Sequence, residues 1–212
     1  MSHPDLIWFL DELARRKVIA NMTVNQMHFE KHKAFLRALC TRNLIHGLGV
    51  SLKDPTPEFI KGVKSFPNAV IHVINGVITE EQWNKLVDQD LKVLILGYKQ
   101  RGRGVGFLDR HIDDIANNID YTKKHIKDFI PRFKVLSFDN LALQQLAIKS
   151  LIPNEDWKEF YMGDDGDFTF YIDLVDNAFY RNSVSDTGYY LLDNIDDMFH
   201  IIRDEKLREK SE

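Results

Sequence analysis

The sequence predicts an α/β chain in which βα units repeat around a parallel sheet and a small α+β extension follows. Three observations predict it. Short apolar runs begin near residues 18, 44, 69 and 92, at intervals of about 25 residues, and a stretch with helical spacing follows each. A fifth run, "FKVLSFD" at 133–139, comes after a long helical stretch at about 108–129. Near residue 153 the pattern changes to turns marked by glycine and aspartate between short alternating runs.

Taken in order, "HPDLIWFLDELARRK" places Leu6, Phe9, Leu10 and Leu13 on one helical face, with Asp11 and Arg15 one turn apart for pairing, and predicts a helix at about 4–16. "VIANMTV" (18–24) alternates as a strand does. "QMHFEKHKAFLRALCTR" returns to helical spacing through Phe29, Phe35, Leu36 and Leu39, and "LIHGLGVSL" (44–52) is a strand thinned by Gly47 and Gly49. Thr56 stands where it can cap a helix that Pro57 begins, since proline at the first helical position loses no hydrogen bond. "NAVIHVI" is the third strand. "TEEQWNKLV" opens with a capping box, Thr79 with Gln82, and "LKVLILGY" is the fourth strand. The helix at 108–129 carries Leu108, Ile112, Ile115, Ile119 and Ile126 on one stripe, and "NLALQQLAIKSL" forms a helix after the fifth strand. "GDDGDFTFYIDLVDNAFYRNS" reads as a turn at Gly163 to Asp167 and then a β-hairpin around Asp176 and Asn177. A last helix buries Ile195, Met198, Phe199 and Ile202. The organisation expected is residues 1–152 as the βα part and 153–212 as an extension packed on it.

With 212 residues, 44% of them hydrophobic, the chain can bury one good core and a small appendage. A net charge of -4 and a pI of about 6.1 give no global field that attracts nucleic acid or an acidic membrane surface. The one cysteine, Cys40, excludes an internal disulfide and any site built from several thiolates of this chain, so a reducing, cytoplasmic setting is expected. No run approaches the roughly 18 apolar residues of a membrane span, so the chain is expected to be soluble.

Several chemistries are weak on inspection. His28 and His32 in "HFEKH" stand one turn apart, as two zinc ligands can, but Glu30 points elsewhere and no third ligand stands out. "DDGD" (164–167) lacks the following glutamate of a calcium loop and reads as an approach to the hairpin. Cys40 is core or interface, and there is no G-x-S-x-G or P-loop pattern. The stretch that keeps a functional reading is "GYKQRGRGVG" at the end of the fourth strand. Its glycines free backbone N–H groups, and Lys99, Arg101 and Arg103 add charge suited to a carboxylate or phosphate. The competing reading is a solvated βα loop.

Several stretches resemble a known family in order and spacing. "SHPDLIWFLDELARRKV" is similar to the helix after the GGEP motif of radical SAM enzymes. "IANMTVNQ", "IHGLGVSLKD" and "VIHVINGVITEEQWNKLV" resemble the third, fourth and fifth strand units of that barrel, and "KVLILGYKQRGRG" the sixth, in a form found in radical SAM-like proteins of bacteria and their phages. "VLSFDNLALQQL" and "FYMGDDGDFTFYIDLVDNAFYRNS" are similar to the C-terminal extension of the same group. The resemblance implies a partial TIM-like (βα)n barrel. It also carries a large departure, because the CxxxCxxC loop that holds the four-iron four-sulfur cluster and the GGE segment that binds S-adenosylmethionine are absent. Two βα units, roughly 60 residues at roughly 30 per unit, are expected to be missing from the front.

The resemblance implies S-adenosylmethionine as cofactor, with a cluster only if a missing segment supplies it. Its implied contacts are Asn25, Ser51, Asn75, Gly76, Tyr98 and Lys99 at the carboxyl ends of the strands, and Arg101 and Arg103 are candidates for an anionic group. For Asn25, Ser51 and Asn75 the alternative is ordinary helix or turn capping. As partner it implies an N-terminal companion polypeptide, or self-association through the exposed sheet edge; no nucleic acid or membrane is expected. The function expected is a truncated or split radical SAM enzyme, inactive as this chain alone. The alternatives are a non-catalytic partial barrel that binds protein, or an α/β enzyme for a phosphorylated small molecule.

Overall fold

In the computed structural model of the chain, residues 3–209 are described. They form two compact units. The first runs through Tyr98 and resumes over Gly106–Ala147, and the second comprises Lys99–Val105 and the residues from Ile148 onward.

The first unit is built on a five-stranded parallel sheet: β1 (Asn21–Asn25), β2 (Gly47–Ser51), β3 (Ala69–Ile74), β4 (Lys92–Leu96) and β5 (Val135–Phe138). The strands lie in the order of the chain. Sequential parallel strands joined by crossovers of one hand place their helices on a single face, and burial follows that rule. Val24, Val50, Ile71 and Val93 share one register row and are all buried, as are Val73 and Ile95 in the next. The residues between them, which point to the other face, include Thr23, Asn25, Ser51, Val70, His72 and Leu94, and each is exposed or partly exposed. β1 and β5 are the two edges, so the sheet is open and no barrel closes.

The helices that cover the buried face start where local chemistry starts them. α1 spans Leu6–Arg15. Asn25 Oδ1 accepts from His28 N at 2.8 Å and so caps α2 (Gln26–Lys31), which is separated from α3 (Lys33–Thr41) by the non-helical backbone of His32. Thr56 caps α4 (Pro57–Lys64), and Thr79 and Gln82 close the expected capping box on α5 (Glu80–Leu86). Trp83 anchors α5: it is fully buried, stacks on Phe129 with ring centres 4.9 Å apart, and donates from Nε1 to Thr122 Oγ1 at 3.1 Å. The long α6 (Arg103–Phe129) is interrupted at His111, and α7 (Asn140–Gln145) is capped by Asp139.

Four expectations from the sequence need correction. Asp11 does not pair with Arg15; Glu12 takes both Arg15 and Arg16, which hold its carboxyl down to about 2, and Asp11 pairs with Arg42 just past the end of α3. Phe9 is 46% exposed, leaving Leu10 as the buried residue of α1. Ile112 is exposed because the break at His111 shifts the phase of the stripe, while Ile115 and Ile126 stay buried. The helix expected from Gln26 to Arg42 is two helices.

The second unit holds α8 (Asn154–Phe160), a three-stranded antiparallel sheet of β6 (Tyr171–Asp173), β7 (Ala178–Tyr180) and β8 (Gly188–Tyr190), and α9 (Ile195–Glu209). The expected hairpin is β6 and β7, with Asn177 at a positive φ of 52° in its turn. β8 adds a third strand to it. Phe179, Met198 and Ile202 form the core with Phe170, Tyr189, Leu191 and Ile201 around them, whereas Ile195 lies exposed at the start of α9.

Among the described residues, no helix is long and apolar enough to cross a membrane.

Candidate functional site

The carboxyl ends of β1 to β5 gather polar groups on the first unit. Asn25 is the cap of α2, so its side-chain oxygen is engaged. Next to it Gln26, buried at the first turn, receives the N–H groups of Lys53 and Asp54 on Oε1 at 2.8 and 2.9 Å and donates to the Asp54 carbonyl, which ties the loop after β2 to α2. Ser51 ends β2 on the open face, half-buried.

Asn75 follows β3 and is fully buried. Its Nδ2 donates to Gln145 Oε1 at 3.1 Å, and its Oδ1 has no partner. Gln145 clamps the backbone of Tyr98 from both sides, receiving its N–H and donating to its carbonyl, each at 2.9 Å. Asp139 Oδ1 accepts from Gly97 N at 2.9 Å and from Ala142 N at 2.7 Å. Gly97 permits this closeness, since a Cβ there would strike Leu141. The ends of β3, β4 and β5 are therefore locked together by Asn75, Gln145 and Asp139.

Beside this lock lies a cleft of about 370 Å³. Gly76 forms one wall at a φ of 85°, and its carbonyl accepts from Asn118 Nδ2 at 3.1 Å. Phe107 and His111 form another wall with rings stacked 4.5 Å apart, and His111 Nδ1 lies 3.2 Å from Asp114 Oδ2. Thr79 and Asn117 complete a polar margin. The arrangement offers a flat aromatic surface and amide and carboxylate edges, which suits a planar heterocycle with hydrogen-bonding atoms on its rim.

A second group stands on the open face itself. His72 points from β3 to that face, beside Ser51 and Leu94 in the register. Its ring lies where a side chain on Gly49 would have to go, next to Thr23 Oγ1. Burial pushes its imidazole below the usual value.

Of the residues expected at the site, Asn25, Ser51, Asn75, Gly76 and Tyr98 belong to this first unit, at the strand ends. Tyr98 is buried and packs its ring 6.5 Å from that of Phe107. Lys99 and Arg101 belong to the second unit, where Lys99 Nζ donates to Ser183 Oγ at 2.7 Å and Arg101 pairs with Asp186. Arg103 opens α6; its side chain lies outside the described part. An anion on this loop would thus compete with the Asp186 carboxylate.

The weaker candidates settle into structure. The His28 and His32 rings sit 6.3 Å apart at 59°, and no group of three or more His, Cys, Asp or Glu among the described residues could hold a metal. In the 164–167 turn, Asp167 accepts from Asp164 N and pairs with Lys206, and Asp165 accepts from Asn182. Burial and then Asp164 push the Tyr161 phenol up to about 12. Cys40 lines a separate cleft of about 470 Å³ at the amino ends of the first three strands, with Lys17, His46 and Asn68. It is the wrong end for cofactor chemistry in an open α/β sheet.

His72, Gln145, Asp139, Phe107 and His111 are among the site residues that the sequence patterns leave unmarked. His72 could have been noticed as the one polar residue among the apolar "AVIHVI" at 69–74, where it must face away from Ile71 and Val73. The pairing of Gln145 with Asn75, 70 positions away, has no local signal.

Comparison of the chain with protein-family models, with curated proteins and with solved structures finds no match.

Proposed function

We propose that the chain is a partial βα barrel of radical SAM type that binds S-adenosylmethionine, or a ligand with the same adenosine group, in the cleft beside Gly76. The cleft is the observation that carries this reading. It follows the carboxyl end of β3, where ligands of parallel sheets bind, and its volume is that of small-molecule sites. The Phe107 and His111 wall suits the face of a purine, and Asn117, Asn118 and Asp114 suit its edge. The sequential parallel order and the open second face support the barrel part of the reading.

The residues present do not fit a four-iron cluster. One cysteine cannot hold it, and Cys40 lies toward the amino ends of the strands. Reductive cleavage of the sulfonium is therefore not assigned to this chain, which binds and orients. Radical chemistry would require a cluster carried by a companion polypeptide. The outer side of β1 is where such a chain, or a second copy of this one, would add a strand: Ala20 O accepts from His46 N at 2.7 Å, so alternation turns the N–H groups of Asn21 and Thr23 away from β2.

Isothermal titration with S-adenosylmethionine, adenosine and a hexose phosphate tests the reading. Binding of the first two, weakened at least tenfold by Phe107→Ala, is expected. Silence from both sinks it. Binding of the hexose phosphate alone, lost in Arg101→Ala, would install an α/β binder of phosphorylated molecules in its place.

A further inference from the structure

The outer face of the three-stranded sheet carries a cluster of tyrosines that the proposed cleft does not use. The register fixes their arrangement: Tyr171 stands opposite Tyr180 and Tyr180 opposite Gly188, while Asp173, Ala178 and Tyr190 make the adjacent row. The intervening residues face the other way, where Phe179 is fully buried against Met198 and Ile202 and Tyr189 packs beside it. Tyr171, Tyr180 and Tyr190 therefore share the outward face. The rings of Tyr171 and Tyr180 are 6.1 Å apart. A Cβ on Gly188 would run into the Tyr180 ring, so the glycine is what lets that ring lie across β8. Tyr171 is 39% exposed and Tyr190 85%.

We propose that this face docks a proline-rich segment of another protein that carries arginine or lysine. Strand addition is disfavoured, because the edge strands β6 and β8 have three residues each and offer little ladder. Tyrosine faces supply apolar contact at small entropic cost, and their hydroxyls can donate to the carbonyls that a polyproline II chain leaves unpaired. The charge selects the partner. Asp173 lies on the face, Asp176 in the adjoining hairpin turn, and in the second unit as a whole 16 Asp and Glu stand against 10 Lys and Arg. That balance repels phosphate backbones and attracts a cationic peptide. Exposed Leu174 and Val175 extend the apolar area at the hairpin tip.

An array of proline-rich peptides with arginine, neutral or glutamate flanks, probed with the full chain, tests this. Binding by arginine-flanked members is expected, with at least tenfold loss in Tyr190→Ala and in Tyr171→Ala and a fall of similar size in high salt. Circular dichroism and the melting temperature of both variants should match the parent, since neither ring belongs to the core. No binding by any arginine-flanked member overturns the proposal. Equal binding by glutamate-flanked members, or retention by an immobilised neutral oligosaccharide instead of the peptides, also overturns it.

Discussion

His72 occupies the middle of β3 on the open face and is held partly out of water there, with its imidazole pushed below its ordinary value of 6.5. The unfolded chain then takes up a proton before the folded one as the pH falls. His72 therefore contributes full stability above about pH 6.5, and that contribution declines as the pH drops further. Urea midpoints measured at pH 7.5 and pH 5.5 should differ more in the parent than in His72→Phe; equal differences would remove His72 as a source of the dependence. Gly49 bears on the same ring. Placing a methyl there forces the imidazole to move, and Gly49→Ala should cost about 1–3 kcal/mol, the range of overpacked sites. Stability unchanged within error would mean that the ring has an alternative seat. Neither residue was marked as important by the sequence: Gly49 read as a weak point in a strand, and only the register shows what fills the space.

Helices and strands of the first unit were legible because their signals are local. Thr56 with Pro57, and Thr79 with Gln82, are capping patterns that need no tertiary partner to be recognised, and both form as read. Removing the Thr79 cap with Thr79→Ala should cost about 1 kcal/mol, seen as a lower midpoint with an unchanged denaturant slope. An unaltered midpoint would show that packing of Trp83 alone starts α5. The elements that the sequence hid are of another kind. β8 has three residues, too few to show alternation, and exists through its pairing with β7. The break at His32 divides a stretch in which Phe29, Leu36 and Leu39 keep one helical phase across the polar residues 30–33, so periodicity alone reads one helix. The candidate cleft was half legible: Gly76 stands at a strand end, but Phe107 and His111 meet it through the course of α6.

At the scale of the molecule, the parallel sheet was readable from the spacing of apolar runs, and its edges follow from its order. Whether an edge is used is a question for solution. If the outer side of β1 pairs with a second copy, the sedimentation coefficient should rise with concentration, and Thr23→Pro should abolish the rise without loosening β1 from β2, since Thr23 N–H points outward. A concentration-independent monomer would leave that edge to a different polypeptide or to water.

The order of the sheet also bears on how the chain is made. Each of the four strands after β1 pairs with the one synthesised just before it, so no strand must wait for a distant segment to emerge from the ribosome. The first three strands and their helices end before residue 90, whereas β5 arrives only after the whole of α6. Arrest of translation past α5 should therefore leave a nascent chain with three strands already paired, and the slowest joining should be that of β5 to β4.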